Sequence, residues 1–541
     1  MNSDSLNNPV KSNNREVRVK KSYDILVVGG GIYGAALCYV ASKCGYTVLL
    51  VEQNDFSSGT SSNSLKILHG GIRYLQSFDF IRVVESAKER ARITSLMPGL
   101  VRPITCFLPV KTGLIRNKFF ISLALMLFDF VRKVINKKYN VYRFDASRVV
   151  NKKALKKIYE KIAKIKSNMG LCWQDSQVVS TERVIYRLIA LAKKSGADTC
   201  NYLSYVKSKN SSNLHAVELC DEITGVKIES SVNVIIDATS SWQANKPNDN
   251  EVVPYISAVN LVVNKCFAND TLGIPFKKNN DNRTLFLSSW NDSTLIGTWY
   301  FKEIDKVSEK IIDECLDDVN EYFENISIKK ENITFIHHGK LPANKVNSTN
   351  PYLDIQNQYK IKSGKSSGVF IVQGVKYTTA IDVAEKTLLQ INDYFKQVNI
   401  TKYLKKTDKS IIKFDGAGSD KIYRSYVDKI SPSIFERLFS LYGEDTQKIL
   451  KLTIADVTLL ECVPGSTMVL KAEIEYVVHN EDVFYLSDLL LRRTDLGTQA
   501  KPSSEMINYC VKIMANNLNW DSTAIAYNVR ELNKYYPSWV E

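Results

Sequence analysis

The sequence has no run of the roughly eighteen consecutive apolar residues that a membrane-spanning helix requires. The nearest approach is residues 119–131, which Asp129 interrupts and basic residues flank. Residues 1–22 are polar and basic and lack the apolar core of a secretory signal, so we expect a disordered N-terminal tail. These absences predict a cytoplasmic globular protein, and they leave open a peripheral position on the inner face of a membrane.

Cysteine pairs with metal-binding or redox spacing are also missing. The ten cysteines include no C-x-x-C pair, so we expect reduced thiols and no metal site. No nucleic-acid-binding module is recognisable, and the basic residues are scattered along the chain. The formal net charge of +15 therefore indicates anionic small ligands or an anionic membrane surface, and not nucleic acid.

The strongest positive signal is the strand–turn–helix–strand pattern of residues 23–52. An apolar β-branched run precedes Gly29, Gly31 and Gly34, which have the spacing G-x-G-x-x-G, and the second strand ends in Glu52. In such a fold the first glycine makes a tight turn, the second lets the backbone approach a pyrophosphate, and the third lets helix and strand pack closely. The acidic residue accepts hydrogen bonds from a ribose. The pattern predicts a Rossmann-type domain that binds a dinucleotide, either NAD or FAD.

A segment rich in hydroxyl groups and glycine follows the second strand. Residues 59–75 read GTSSNSLKILHGGIRYL. Together with the glycine turn, this run resembles the FAD-dependent glycerol-3-phosphate dehydrogenases, within the wider group of flavoproteins similar to D-amino-acid oxidase. The resemblance implies that the dinucleotide is FAD and that this segment passes beside the flavin. Leu65 departs from the family pattern, which has a serine there.

Three later segments carry the same resemblance. The backbone at Val206 would lie against the adenine, and residues 232–239 resemble a strand that returns to the cofactor, with Ser240 in place of a glycine. Residues 374–379 resemble the last cofactor element, where a helix N-terminus and Lys376 would favour the reduced flavin. The resemblance implies cofactor contacts from Gly29, Gly31, Ile32, Gly34, Glu52, Gln53, Thr60, Ser61, Ser64, Lys66, His69, Gly70, Val206, Ala238, Thr239, Gly374, Lys376, Tyr377 and Thr378.

The predicted fold class is α/β, with a Rossmann-type FAD-binding domain, an inserted mixed-sheet substrate domain and a C-terminal α-helical domain. Strand-like alternation in residues 254–342 suits a sheet that covers the flavin and shapes a substrate pocket. We assign 23–110, 171–253 and 351–400 to the FAD-binding domain, 111–170 to a helical insertion, 254–350 to the substrate domain and 401–541 to the helical domain.

The resemblance implies oxidation of a CH–OH group by hydride transfer to flavin N5. Glycerol 3-phosphate is the default substrate, with a quinone or oxygen as the electron acceptor. Arg73 matches a family arginine, whereas Leu341 and Asn357 stand where two others are expected, and Asn260 stands where a histidine is expected. We therefore predict a catalytic set in which lysines supply charge and a histidine beside Gly339 accepts the proton: Arg73, Lys340, His338 and Lys376, with His337 as the alternative base.

Two other functions remain open at this point. One is a flavin-dependent oxidase of hydroxy acids, amines or amino acids. The other is a non-catalytic flavin-binding protein that binds a membrane or a partner. Residues 119–131 are predicted to form a buried helix, with an interfacial helix as the alternative, and the lysine-rich residues 149–166 a surface helix. A homodimer is also left open.

Overall fold

The structure is a computed structural model. It describes residues 19–72, 74, 79–110, 118–163, 166–211, 213–242, 253–275, 284–323, 326–344, 346, 350–363, 367–400, 424–426 and 428–540. The last residues of the predicted disordered tail are part of the fold: Lys20 forms an ion pair with Asp198 at 2.8 Å, and the first strand starts at Ser22. The rest of the predicted tail, residues 1–18, lies outside the described residues.

The first sheet has a parallel core with the order β17-β10-β1-β2-β7. Strand β16 pairs antiparallel with β17, and the antiparallel hairpin of β8 and β9 pairs with β10. Its strands are β1 Ser22–Val28, β2 Val48–Glu52, β7 Asp198–Asn201, β8 Leu203–Ser211, β9 Leu214–Asp221, β10 Lys227–Asp237, β16 Lys360–Ser363 and β17 Val369–Gln373.

Strand β1 is continuously apolar from Ile25 to Val28 because both of its faces are covered there. Ile25 and Val27 pack against the helical layer, and Leu26 and Val28 pack against the layer formed by β8 and β9. Continuous apolar runs of this kind are typical of parallel strands that are buried on both sides. The predicted Rossmann-type layer is thus present.

The second sheet is mixed, with the order β15-β11-β14-β13-β12-β4-β6-β3, and β5 pairs with β6. Only β12 and β4 run parallel among its described pairs. Its strands are β3 Ile67–Leu68, β4 Val101–Val110, β5 Arg148–Asn151, β6 Met169–Val178, β11 Tyr255–Val263, β12 Thr271–Pro275, β13 Thr284–Trp290, β14 Ser293–Lys302 and β15 Ile333–Pro342.

Strands β4 and β6 correct the predicted domain boundaries. All of β4 and most of β6, residues 101–110 and 171–178, were predicted to belong to the FAD-binding domain, but the two strands pair with each other and belong to the second sheet. Their pairing joins residues 59 to 77 positions apart, which no local pattern indicates. The boundaries therefore move to about residues 100 and 179.

Helices cover one face of the first sheet, line the second sheet and form the C-terminal domain. The first seven are α1 Ile32–Lys43, α2 Phe80–Leu96, α3 Lys118–Tyr139, α4 Lys152–Tyr159, α5 Thr181–Lys194, α6 Glu309–Tyr322 and α7 Ala380–Gln397. Asp79 and Ser180 cap α2 and α5 by accepting hydrogen bonds from Arg82 N–H and Arg183 N–H. Helix α4 covers only part of the surface helix predicted for residues 149–166, because Arg148–Asn151 form strand β5, and Leu155 and Tyr159 of α4 are buried.

The C-terminal domain is helical, as predicted. Its elements are α8 Pro432–Tyr442, α9 Thr446–Ala455, α10 Lys471–Asn480, a short helix Leu486–Asp488 that continues as a π-helical turn Leu489–Arg493, α11 Ser504–Leu518 and α12 Ser522–Asn533. It shares one apolar core with the helical layer of the first sheet. A buried ion pair between Arg183 and Glu481, at 2.5 Å, also joins the two.

Helix α3 departs from the preferred prediction of a buried helix. Ile121, Leu125 and Phe128 are buried, but Met126 and Phe130 are 68% and 66% exposed. One side of the helix therefore presents apolar groups to the surroundings. Within the described ranges, no helix is both long and apolar enough to cross a bilayer.

Candidate active site

A cavity of about 700 Å³ lies at the carboxyl ends of the parallel strands of the first sheet. The residues that directly follow β1, β2, β10 and β17 all line it: Gly29, Gln53, Ala238 and Gly374. This edge is where open α/β sheets bind their ligands. Strands β11, β14 and β15 of the second sheet and several residues of the C-terminal domain complete the wall.

The glycine turn has the shape that a pyrophosphate needs. Gly29 has a φ of +106°, which a side chain rarely tolerates. A Cβ atom on Gly31 would meet only the Ser61 hydroxyl oxygen within 4 Å, at 3.1 Å, so this side of the turn opens to the cavity. The N-terminus of α1 follows directly, and Ile32 N–H donates to Ser61 Oγ at 3.0 Å. The turn and the positive end of the helix thus fit a phosphate group.

Glu52, the predicted ribose ligand, ends β2 and lines the cavity. Its carboxylate accepts hydrogen bonds from Gly30 N–H at 2.6 Å and from Asn54 N–H at 2.9 Å. Burial raises the pKa of Glu52, although these two hydrogen bonds oppose the rise. Because each carboxylate oxygen can accept a second hydrogen bond, Glu52 can still receive ribose hydroxyl groups.

Most of the predicted cofactor residues line the cavity. They are Gly29, Gly31, Ile32, Glu52, Gln53, Thr60, Ser61, Ser64, Ala238, Thr239, Gly374 and Tyr377. Thr60 also joins the two sheets: its hydroxyl group donates to Lys340 O and accepts from Lys340 N–H, each at 2.9 Å, and it accepts from Trp242 Nε1–H at 3.0 Å. This contact holds β15 against the hydroxyl-rich segment.

Lys66 was predicted to contact the cofactor, and the structure places its side chain elsewhere. Its ammonium group is buried, donates to Glu182 Oε1 at 3.0 Å and to Thr181 Oγ1 at 2.9 Å, and lies 4.8 Å from the centre of the Trp290 ring. The partner carboxylate is 116 residues away in the chain. Lys66 therefore anchors α5 to the second sheet, a role that its local sequence does not reveal.

His69 and Gly70 are held by a buried carboxylate beside the cavity and do not line it. Asp175 accepts from Gly70 N–H at 2.6 Å and from Trp173 Nε1–H at 3.0 Å, and its Oδ2 lies 3.8 Å from His69 Nδ1. Burial raises the pKa of Asp175, but His69 and the buried Arg90 lower it below the ordinary value overall. Asp175 is thus an anion that orients the His69–Gly70 segment.

The segment after β17 is fixed by Tyr33 of helix α1. A Cβ atom on Gly374 would lie 1.9 Å from the Tyr33 ring, and the Tyr33 hydroxyl group donates to Lys376 O at 2.7 Å. The Lys376 ammonium group donates to the Tyr74 hydroxyl group and lies 5.0 Å from that ring. Lys376 and Thr378 do not line the cavity, whereas Gly374, Val375 and Tyr377 do.

Lys340 lines the other end of the cavity. Its ammonium group lies 2.9 Å from Asp305 Oδ1 and within 4.3 Å and 5.3 Å of the ring centres of Tyr255 and Trp242. Burial lowers the pKa of Lys340, but hydrogen bonds to Asp305 and Tyr255 raise it above the ordinary value overall. Lys340 therefore stays charged at neutral pH.

The register of β15 corrects the predicted place of His338. A Cβ atom on Gly339 would meet Thr60 at 2.9 Å, and Leu341 lines the cavity, so the odd-numbered positions face the cofactor domain. His338 is not among the residues that line the cavity; by alternation it shares a face of β15 with Lys340, whose longer side chain does line it. His337 does face inward, but it is buried against Ser64 O at 3.3 Å, and burial together with Lys66 lowers its pKa to about 3.

The positions that depart from the family pattern are not all in the site. Leu341 and Asn260 line the cavity, and Asn260 Oδ1 accepts from the Thr298 hydroxyl group at 2.7 Å. Asn357 is exposed and does not line it. Arg73 lies outside the described residues. Val206 is half-buried beside the lining residue Tyr205 and does not itself line the cavity.

Gly34 serves packing and not contact with a ligand, because a Cβ atom there would lie 1.8 Å from Gly29 O.

The C-terminal domain contributes lining residues that were not predicted from the sequence. Tyr485, Ser487, Arg492, Tyr527, Glu531 and Tyr535 line the cavity. Arg492 and Arg493 form a buried network with Asp55, three residues after Glu52, at 2.5 Å and 2.7 Å. The adjacent pair of arginines was the only local signal, because the carboxylate they bind is over 430 residues away in the chain.

A glycine turn at a parallel sheet edge, an acidic residue after the second strand and a mixed sheet over the cavity define an α/β flavin-dependent oxidoreductase. The chain belongs to the family of FAD-dependent oxidoreductases, whose model matches residues 24–380. A second model, the C-terminal domain of alpha-glycerophosphate oxidase, matches residues 405–525. The predicted fold class, the FAD cofactor and the enzyme class are confirmed.

Individual proteins with similar sequences or structures cover almost the whole chain. It is 27% identical over 513 residues to an aerobic glycerol-3-phosphate dehydrogenase of Staphylococcus haemolyticus, covering 89% of each chain. It is 24% identical to a glycerol-3-phosphate dehydrogenase of Synechocystis sp., covering 95% of this chain and 96% of the relative. The fold is similar to the structure of a glycerol-3-phosphate dehydrogenase from Bacillus halodurans complexed with FAD, with a TM-score of 0.72, 19% identity and 95% of both chains covered.

Proposed function

We propose that this enzyme oxidises the secondary alcohol of glycerol 3-phosphate to a ketone, dihydroxyacetone phosphate, and passes the electrons to a quinone or to oxygen. The observation that carries the proposal is the distribution of charge along the cavity. Among the described lining residues, Lys340 is the one charged group contributed by the second sheet, whereas the four carboxylates, Glu52, Asp55, Glu222 and Glu531, come from the first sheet and the C-terminal domain. An anionic substrate is attracted to the Lys340 end.

The residues around Lys340 suit a small polar phosphate ester. Asn260, Thr298 and Tyr300 of β11 and β14 line the same end and offer amide and hydroxyl groups. A lysine attracts a phosphate as a point charge, without the paired hydrogen bonds of an arginine. The names of the relatives, which match this chain over nearly its full length, support the same substrate.

FAD would be held by the glycine turn, by Glu52 and by the hydroxyl-rich segment that includes Thr60 and Ser61. When bound, it supplies the acceptor for the hydride that leaves the alcohol carbon. The protein's part is to orient the alcohol carbon, to exclude water and to accept the hydroxyl proton.

We propose that His69 accepts the proton of the substrate hydroxyl group. His69 does not line the cavity itself, but its side chain is about half exposed, and the Asp175 carboxylate lies 3.8 Å from its Nδ1 and holds a negative charge beside the ring. The His69 segment continues to Tyr74, whose hydroxyl group contacts Lys376 next to the lining residues Gly374 and Val375. His338, the base predicted from the sequence, is the alternative.

Turnover with a soluble electron acceptor tests these assignments. We expect glycerol 3-phosphate to be oxidised and glycerol, hydroxy acids and amino acids to react far more slowly, because they lack the phosphate that Lys340 attracts. We expect His69→Asn to lower kcat by about a hundredfold or more and to change its pH profile, and His338→Asn to leave both nearly unchanged. A large loss of kcat in His338→Asn with little change in His69→Asn would show that His338 accepts the proton. A preference for amino or hydroxy acids would reject glycerol 3-phosphate as the substrate.

We further propose that helices α2 and α3 bind the surface of an anionic membrane. The two helices pack against each other, and both carry exposed apolar side chains. Ile81, Met126 and Phe130 are 75%, 68% and 66% exposed. Lys133, Lys137 and Lys138 of α3 are also exposed, and they suit acidic lipid headgroups. A quinone dissolved in that membrane could then accept the electrons.

Flotation with lipid vesicles tests the membrane proposal. We expect the protein to float with vesicles that contain phosphatidylglycerol. The triple variant Ile81→Ser, Met126→Ser, Phe130→Ser should lose this binding. The matched control changes Val226, Ile454 and Val457 to Ser, which are 56%, 75% and 70% exposed and lie outside α2 and α3. Equal binding by both triple variants would reject the proposal.

A further inference from the structure

The cavity continues beyond Glu52 into a recess between the first sheet and the C-terminal domain. We call it the tyrosine recess, and its lining residues are Tyr202, Tyr485, Ser487, Tyr527, Glu531 and Tyr535. Tyr202 directly follows β7, the strand beside β2 at the edge of the parallel core. The recess therefore lies on the side of Glu52 that points away from β10 and β17.

A buried ion network fixes the recess in place. Asp55 binds Arg492 at 2.5 Å and Arg493 at 2.7 Å, and the Tyr202 hydroxyl group donates to Asp488 Oδ1 at 2.6 Å. These contacts tie the C-terminal domain to the loop that carries Glu52 and to the end of β7. The walls of the recess are therefore fixed by contacts within the protein, and such preorganisation favours binding.

The recess has the chemistry of a purine site. The Tyr202 and Tyr485 rings lie 4.9 Å apart between centres, and Tyr485 and Tyr527 lie 6.5 Å apart. Aromatic rings stack on bases. Glu531 can accept a hydrogen bond from an exocyclic amine, although it also pairs with Lys534 at 2.7 Å. Arg492, the one cation nearby that lines the cavity, is neutralised by Asp55 and Asp488, so a phosphate is disfavoured here.

We propose that the C-terminal domain completes the adenosine end of the FAD site and that the tyrosine recess holds the adenine ring. The order along the cavity is then pyrophosphate at Gly31, ribose at Glu52 and adenine in the recess. The proposal rests on FAD as the cofactor and is independent of the substrate. The C-terminal domain would then favour FAD over FMN, because FMN has no adenine ring to bind in the recess.

Binding of nucleotides to the apoprotein tests the proposal. The variants are Tyr535→Leu, which removes a flat ring, and Glu531→Gln, which removes a charged acceptor. We expect Tyr535→Leu to raise Kd for FAD by about tenfold, because stacking on one ring is worth about 1–3 kcal/mol. Kd for ADP, which carries the same adenosine end, should rise by the same factor, and Glu531→Gln should have a smaller effect in the same direction.

FMN and a distant variant are the controls. FMN lacks adenosine, so its affinity should not change in either variant. Val457→Ser, an exposed position of the same domain, should bind all three nucleotides like the unchanged protein. Unchanged Kd values for FAD and ADP would overturn the proposal, as would an equal loss for FMN and FAD. Failure of the substrate proposal would instead leave FAD bound and unreduced by glycerol 3-phosphate.

Discussion

A Cβ atom on Gly34 would lie 1.8 Å from the carbonyl oxygen of Gly29. The first turn of α1 therefore packs directly on the end of β1, and this close approach directs the N-terminus of the helix towards the cavity. Gly31, between them, has no such constraint: its backbone is extended, with φ −78° and ψ −172°. One motif thus contains a glycine that the fold requires and a glycine that the ligand requires.

These two glycines should respond differently to substitution. We expect Gly31→Val to fold with a Tm close to that of the unchanged protein but to purify without flavin absorbance, because its side chain would occupy the space of the pyrophosphate. Gly34→Val should fail to fold stably, because the clash is with backbone. A yellow Gly31→Val protein would contradict the assignment of the turn to phosphate binding.

Lys340 should control affinity for a phosphorylated substrate. We expect Lys340→Met to raise KM for glycerol 3-phosphate by about tenfold with a smaller change in kcat, since a charge that only binds contributes to ground state and transition state alike. Lys340→Arg should keep most of the affinity. Lys302→Met, at an exposed position of β14, is the control. If Lys340→Met has unchanged kinetics, Lys340 is not a substrate ligand.

Asp55 should be essential for the attachment of the C-terminal domain. Asp55→Asn leaves the buried Arg493 guanidinium group without its charged partner and Arg492 with Asp488 as its remaining one, and breaking a buried ion pair in this way typically costs about 3–5 kcal/mol of the free energy of unfolding. Asp313→Asn removes an exposed ion pair with Lys330 and should change stability by under about 1 kcal/mol. Thermal unfolding of both variants checks this difference, and a Tm drop of similar size in both would contradict it.

Glu89 gives the protein a pH-dependent stability term. Burial raises the pKa of Glu89 to about 7, although Arg92 opposes the rise. The folded protein thus binds the proton of the Glu89 carboxyl group more tightly than the unfolded chain does. Protonated Glu89 therefore adds to the free energy of unfolding below the ordinary pKa of about 4.5, and this stabilisation is lost as pH rises through 7. We expect Glu89→Gln to have a higher Tm than the unchanged protein at pH 8, with a smaller or reversed difference at low pH. A difference that does not vary with pH would contradict this.

Features set by neighbouring residues could be predicted from the sequence. The spacing of Gly29, Gly31 and Gly34 predicted the cofactor turn, and the hydroxyl-rich segment distinguished FAD from NAD. Asp79 and Ser180, which cap α2 and α5, are likewise of residue types that favour a helix N-terminus. These signals are local because turns, caps and helix periodicity depend on residues close together in the chain.

Features set by distant pairing could not be predicted. The alternation in β15 puts His338 and Gly339 on opposite faces, but only the packing of Gly339 against Thr60, a residue in a distant segment of the chain, decides which face meets the FAD-binding domain. The partner of Lys66 is Glu182, and the partner of Arg492 and Arg493 is Asp55. The aromatic recess in the C-terminal domain likewise exists only once that domain has docked.

Anaerobic reduction of the bound flavin is the most direct test of the proposed function. We predict that glycerol 3-phosphate removes the absorbance of the oxidised flavin and that one molecule of dihydroxyacetone phosphate forms for each flavin reduced. Glycerol, hydroxy acids and amino acids should leave the spectrum largely unchanged at the same concentration. Reduction by an amino or hydroxy acid alone would contradict the substrate, and a spectrum that only dithionite changes would contradict catalysis on all of these compounds.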